Sequence, residues 1–344
     1  MPVMSTHVRL GLALLLTACG SSSGDDTAGS SDGSTSATPT TSATSGATTD
    51  VTGATTDATT GPADSTGATM ETGSTGGDDS GLIDARPYML LVPDSYDPAT
   101  PTPLVVMLHG YGVTGVIQAT YFRLLDDADE HGYLLAYPDG TPDAGGNRFW
   151  DATDACCNFA GAPVDDVAYL SALLDDVEAS YNVDPDRIYF MGHSNGGFMS
   201  YRLACDIGER IAAVASLAGA TWNDPTACPA AAPVNVLQIH GTDDRTIGYD
   251  GGTTGAATFP SAPQTVATWA DKNGCGGALT DVDTIDLEVT IAGAETQRQE
   301  YADCVAGGDV VLWTIDGGSH IPNFDEGFAD AVWEWFDAHP RPGA

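Results

Sequence analysis

Apolar positions are spread very unevenly along this chain. A short apolar run at residues 10–16 gives way to a polar stretch that lasts to about residue 81, and apolar runs then return at short intervals to the end. Those later runs take two forms. Continuous aliphatic or aromatic runs predict strands buried on both faces: residues 88–92, L-V-V-M-L at 104–108, 133–137, I-Y-F-M at 188–191, 211–217, 234–239 and 310–315. Segments with apolar residues three and four apart predict helices at 121–130, 195–206, 263–272 and 325–338. A further helix is predicted after a cap at Asp165 or Asp166, with Val167, Leu170, Leu174 and Val177 on one face. Residues 285–291 and 297–301 read as a hairpin, and the segment around Trp150 and the adjacent Cys156 and Cys157 reads as irregular. Buried strands alternating with amphipathic helices imply an α/β fold, a mostly parallel sheet with helices on both faces. Residues 82–344 are read as one such domain. The short connection between the strands ending at Leu217 and starting at Val234 leaves no room for a large cap domain, so an open surface cleft is expected.

The polar stretch at 20–81 is almost wholly Ser, Thr, Gly, Ala and Asp, with neither Lys nor Arg. It has too little apolar surface to offset chain entropy and is expected to be a disordered tether. Roughly 60 residues of this composition reach about 45 Å on flexible-linker scaling. Residues 1–19 read as a targeting segment. Arg9 precedes the apolar run, which is too short to span a bilayer, and L-T-A-C ends at Cys19 in the manner of a bacterial lipobox. The bland alternative is a signal peptide cleaved near Ala18. Resemblance to lipoproteins with Gly rather than Asp after the cysteine, here Gly20, implies an anchor in the outer membrane.

The formal charge of −37 comes from 11 Lys and Arg against 48 Asp and Glu, and Lys272 is the sole lysine. So acidic a chain repels phosphate backbones, which argues against nucleic-acid partners and for neutral substrates. Six cysteines follow Cys19, an even set that in an exported chain suggests disulfides. Cys275 and Cys304 flank the predicted hairpin and are expected to pair. Cys156 and Cys157 could each join Cys205 or Cys228, or could bond to each other and leave Cys205 with Cys228. The cysteine and histidine spacings match no metal site, and no metal or organic cofactor is expected.

The chemistry centres on G-H-S-N-G at 192–196, directly after a buried strand and before a helix. This is the spacing of a strand-to-helix elbow, in which side chains two residues either side of the serine would collide. Ser194 is thus the candidate nucleophile. Of the histidines that could serve it, His131 and His339 sit at helix ends, His193 neighbours the serine and should point away, and His109 and His240, each before a glycine at a strand end, are expected to shape loops. His320, in G-G-S-H after the last core strand, is the candidate base. Asp243 and Asp244 follow an earlier core strand, which sets the order Ser, Asp, His found in α/β-hydrolases. The backbone N–H groups of Tyr111, in H-G-Y-G, and of Asn195 are candidate oxyanion donors.

Several motifs then agree in order. H-G-Y-G, W-D-A-T-D-A-C-C from Trp150, V-D-D-V, G-H-S-N-G-G, H-G-T-D-D and G-G-S-H resemble the polyhydroxybutyrate depolymerase and feruloyl esterase-like family, a secreted, carbohydrate-esterase-related branch of the α/β-hydrolases. The resemblance covers about residues 86–336. It implies an exported serine carboxylic-ester hydrolase working through an acyl-enzyme, with Asp244 as the acid because the family's H-G-T-x-D aligns on His240–Asp244. Feruloyl or acetyl esters of plant polysaccharide are the expected substrates, and polyhydroxyalkanoates the alternative. An inactive surface binding protein and a serine peptidase are weaker readings. Gly-Ser-His-Ile stands where the family often has Gly-Gly-His-Thr-Trp, and no separate polymer-binding domain is read in the chain.

Overall fold

The computed structural model describes residues 80–341 except 230, 231 and 256. The targeting segment with Cys19, and the expected tether as far as residue 79, lie outside the described residues.

In chain order, helix α1 (Ser80–Ala85) and strand β1 (Leu90–Leu91) precede β2 (Thr102–Leu108), α2 (Gly115–Tyr121), α3 (Leu124–His131) and β3 (Leu134–Ala136). A small hairpin, β4 (Thr141–Pro142) and β5 (Arg148–Phe149), leads to α4 (Asp166–Ser180), β6 (Val183–His193) and α5 (Asn195–Asp206). Next come β7 (Ala213–Leu217), β8 (Asn235–Gly241), a second hairpin of β9 (Gly252–Thr254) and β10 (Ala257–Phe259), and α6 (Ala262–Lys272). The chain closes with β11 (Thr280–Ile285), β12 (Thr296–Glu300), β13 (Val310–Ile315) and α7 (Gly327–Ala338).

Nine strands form one sheet in the order β1-β3-β2-β6-β7-β8-β13-β12-β11. The centre, from β3 through β13, is parallel, and antiparallel strands close both edges. The continuous apolar runs are explained by what covers them. Successive side chains of a strand point to opposite faces, so Val106 and Phe190 pack with Leu170 of α4, Leu203 of α5 and Trp269 of α6. Their neighbours Val105 and Tyr189 pack on the other face with Ala128 of α3 and Trp333 and Phe336 of α7. Both faces are apolar because both are roofed. Each fully buried Leu or Phe contributes about 1.5–3 kcal/mol relative to exposure.

Three local expectations are corrected. The helix expected at 121–130 starts later, as α3 at Leu124, because Arg123 takes a left-handed φ of 61°, and Tyr121 instead ends a separate helix, α2. The first hairpin strand lies at Thr280–Ile285 rather than 285–291. There the chain loops instead, since Glu295 Oε1 accepts from the amides of Leu287 and Glu288, and Glu288 accepts from Thr290 and Asn323. The segment around Trp150 is not wholly irregular, since β4 and β5 pair just before it. Among the described residues the connection from β7 to β8 holds one short 3-10 turn, Pro225–Ala227.

The cysteines form three bridges: Cys156–Cys157, Cys205–Cys228 and Cys275–Cys304. The last spans 29 residues and ties the end of α6 to the loop after β12. Removing it through Cys275→Ser with Cys304→Ser should lower the unfolding free energy by about 3–4 kcal/mol on the chain-entropy account. Urea unfolding of the double variant measures this, and an unchanged midpoint would count against a structural role.

Candidate active site

Ser194 sits where β6 turns into α5, with φ 54° and ψ −118°. A β carbon on Gly192 would lie 2.1 Å from the Gly196 carbonyl oxygen, and one on Gly196 would lie 2.1 Å from that of Leu108. Only glycine fits at either place, which is the physical content of the motif. The Ser194 N–H donates to Leu217 O at 2.8 Å, so the turn is fastened to β7 as well. The first N–H groups of α5 lack partners within the helix by virtue of position, and the positive end of the helix dipole faces the serine.

The loops after β8 and β13 bring in Asp244 and His320. These loops touch closely: a β carbon on Gly241 would meet Gly318 O at 2.2 Å, and the Asp243 N–H donates to Gly318 O. His320 Nδ1–H donates to Asp244 Oδ2 at 2.7 Å. The other carboxylate oxygen accepts from the amides of Thr246 and Ile247 at 2.8 and 2.9 Å. Burial of Asp244 works to raise its pKa, but hydrogen bonds from His240 and His320 outweigh it and hold the carboxyl well below the usual range. Asp243, by contrast, is exposed. The fold therefore selects one member of the acidic pair on geometry alone.

His109 and His240 were expected to shape loops, whereas the other bracing residues here were assigned no such role from the sequence. His193 lies next to the serine, yet its ring Nε2–H donates to the carbonyl of His320 at 2.9 Å. The Tyr121 hydroxyl donates to Pro322 O at 2.7 Å, so two side chains hold the loop that carries His320. The Asn195 side chain bonds both the N–H and C=O of Trp150, at 2.7 and 3.0 Å, and the Trp150 indole N–H donates to His109 O. His109 Nε2 accepts from Gly140 N–H while its Nδ1–H donates to Gly110 O, and Gln118 Oε1 accepts from Gly110 N–H. His240 Nε2 lies 2.8 Å from Ile247 O and 3.4 Å from Asp244 Oδ2. For His109, His193, Asn195 and His240 the advance signal was a histidine or amide beside a motif glycine, and Gln118 and Tyr121 carried none. His131 and His339 lie elsewhere, paired with Asp330 and Asp309.

Ser194 and His320 line one cavity of about 120 Å³, beside Gly110, Tyr111, His193 and the Cys156–Cys157 bridge. Among the described residues its wall includes no Asp, Glu, Lys or Arg. The Tyr111 hydroxyl donates to Asp143, which with the neighbouring amides lowers that carboxyl to about 2, and the Tyr111 ring meets Phe159 edge-on.

A mostly parallel sheet roofed on both faces, with a serine elbow at its centre, defines an α/β-hydrolase, and the relatives define its reaction as carboxylic-ester hydrolysis. The chain belongs to the esterase PHB depolymerase family, whose pattern matches residues 87–268. It is 30% identical to feruloyl esterase C of Emericella nidulans across 74% of this chain and 85% of that protein. It is also 30% identical to feruloyl esterase B of Piromyces equi, over 61% of this chain but only 37% of that longer protein. Among solved structures, an acetyl xylan esterase from Aspergillus awamori superposes with a TM-score of 0.52 over 72% of this chain and 92% of its own, at 17% identity, a likeness of fold.

Burial of His109 and His193 has an acid consequence. Desolvation lowers the first to about 4 and the second to about 3, from an ordinary 6.5. Between pH 6.5 and about 4 the unfolded chain binds both protons and the folded chain neither, so stability is full above pH 6.5 and falls as pH drops. Each histidine should contribute a slope of about 1.4 kcal/mol per pH unit. Urea unfolding at pH 7, 6 and 5 is expected to show it, and His193→Gln should remove roughly one proton from the linkage. A stability independent of pH across this range would contradict the burial of neutral imidazoles.

Proposed function

We propose that this protein is an exported serine esterase in which Ser194, Asp244 and His320 form the catalytic triad. One observation carries the reading: the Asp244–His320 hydrogen bond of 2.7 Å stands at the same cavity as a serine held at φ 54°. Ser194 Oγ attacks the ester carbonyl while His320 Nε2 takes the hydroxyl proton. Asp244 keeps the Nδ1–H tautomer and balances the imidazolium. The N–H groups of Tyr111 and Asn195 take the developing oxyanion, a contribution of a few kcal/mol each. The alcohol leaves with the proton from His320, and an acyl-enzyme remains. Water then attacks, gives its proton to the same imidazole, and the acid is released as Ser194 is reprotonated.

Feruloyl or acetyl esters of plant polysaccharide are the substrates this reading favours. Its support is the feruloyl esterase relatives and an uncharged cleft on a strongly acidic chain. The family description keeps polyhydroxyalkanoate as the second reading. Export is supported by the targeting segment and by three disulfides, and the lipobox argues for lipidation at Cys19 and an outer-membrane anchor.

Ser194→Ala should abolish ester turnover with an unchanged melting temperature, and near-normal turnover would sink the assignment. Asp244→Asn should lose ~10⁴-fold in kcat, whereas Asp243→Asn should lose less than about tenfold. A reversed order of the two losses would move the acid by one residue. The Cys19→Ala protein should leave the membrane fraction with its specific activity intact. Continued membrane partitioning would mean that the anchor is not a lipid on Cys19.

A further inference from the structure

The Cys156–Cys157 bridge does not join distant parts of the chain, so loop closure gives it little to do for stability. Its position suggests a different use. Both cysteines are buried, at 2% and 7% exposure, yet both line the cavity that holds Ser194 and His320. The bridge faces the same space as Phe159, which is half-exposed at 50%, and Tyr111, whose ring meets Phe159 edge-on at 6.0 Å. We propose that the bridge, with Phe159 and Tyr111, is the specificity wall for the acyl group, and that it selects one flat aromatic ring such as that of a hydroxycinnamoyl ester. The assignment rests on the esterase reading above and narrows its substrate class.

Three physical points carry it. A disulfide is polarisable and has no hydrogen-bond donor, so it offers an apolar face suited to a π system. Sulfur–aromatic contacts are individually modest but directional. The space also fits: a cavity of about 120 Å³ is comparable to the engineered apolar cavities of about 150 Å³ that accept benzene. An acetyl group would leave it largely empty, and a polyester chain would need a longer groove. Finally, the wall is held in register with the reaction centre. Cys156 N–H and O both pair with Thr153, the Thr254 hydroxyl donates to Ala155 O, and Trp150, six residues before Cys156, is clamped by the side chain of Asn195. Asn195 follows the serine directly, so the segment that carries the wall is hydrogen-bonded to the residue proposed as an oxyanion donor.

The test uses methyl esters, which share methanol as the leaving alcohol, so only the acyl side differs. The readout is the ratio of kcat/KM for methyl ferulate to that for methyl acetate, in the wild type, in Phe159→Ala and in Cys156→Ala with Cys157→Ala. The ratio is expected to fall about tenfold in each variant, mainly through KM for the ferulate ester. If the double variant fails to fold, Phe159→Ala at its half-exposed position carries the test alone. A wild type that cleaves methyl ferulate while the variants keep its ratio overturns the wall and leaves the esterase reading standing. A wild type that cleaves methyl 3-hydroxybutyrate but not methyl ferulate overturns the aromatic substrate class, and the wall with it.

Discussion

The close approach of the β6–α5 turn to the end of β2 is the constraint on which the site depends. With Gly196 packed on the Leu108 carbonyl and Gly192 on Gly196, no side chain separates the strand from the helix that follows. Ser194 consequently adopts a backbone conformation that costs about 1–3 kcal/mol for a non-glycine residue. The surrounding packing offsets that cost. Strand β6 pairs with β2 on one side and β7 on the other, and the Ser194 N–H itself bonds to Leu217 O. The serine thus sits at the end of a central strand that is hydrogen-bonded on both sides.

The remaining groups arrive on loops, and each loop is fastened by a buried polar side chain. His193 and Tyr121 hold the 320–322 segment, Gln118 and His109 hold the Gly110 turn, and Asn195 holds Trp150. Helix α2 supplies Gln118 and Tyr121, so one short helix supports both the Gly110 turn and the loop carrying His320. Burial has opposite outcomes here. It keeps His109 and His193 neutral, which fixes them as donors of single hydrogen bonds, whereas Asp244 receives enough hydrogen bonds to stay charged.

Charge is partitioned in the same spirit. The chain carries −37 overall, yet among the described residues the cavity wall beside Ser194 has no acidic or basic side chain apart from its histidines. A net charge of that sign repels polyanions at long range, and the uncharged wall sets up no such repulsion against neutral groups.

The fold class, the elbow and the three loop motifs were legible in the amino-acid order, because they depend on local rules. Continuous apolar runs require two covered faces, and a serine between glycines requires a turn that no β carbon could enter. Tertiary packing supplies the physical reason for choices among equivalents that local rules leave open. Asp243 and Asp244 are chemically identical, and local rules leave the pair open although the family resemblance points to Asp244. The crossing of the Gly241 and Gly318 loops is what buries Asp244 against His320 and exposes Asp243. The pairing of Cys205 with Cys228 depended on the loop after β7 meeting the end of α5, which left Cys156 and Cys157 to bond to each other. His193 reads as turned away because it neighbours the serine on a strained turn, and its ring contact, the carbonyl of His320, is 127 residues distant in sequence and left no local signal. Contacts of that range leave no periodicity behind, since they are set by the sheet order and not by the neighbours in the chain.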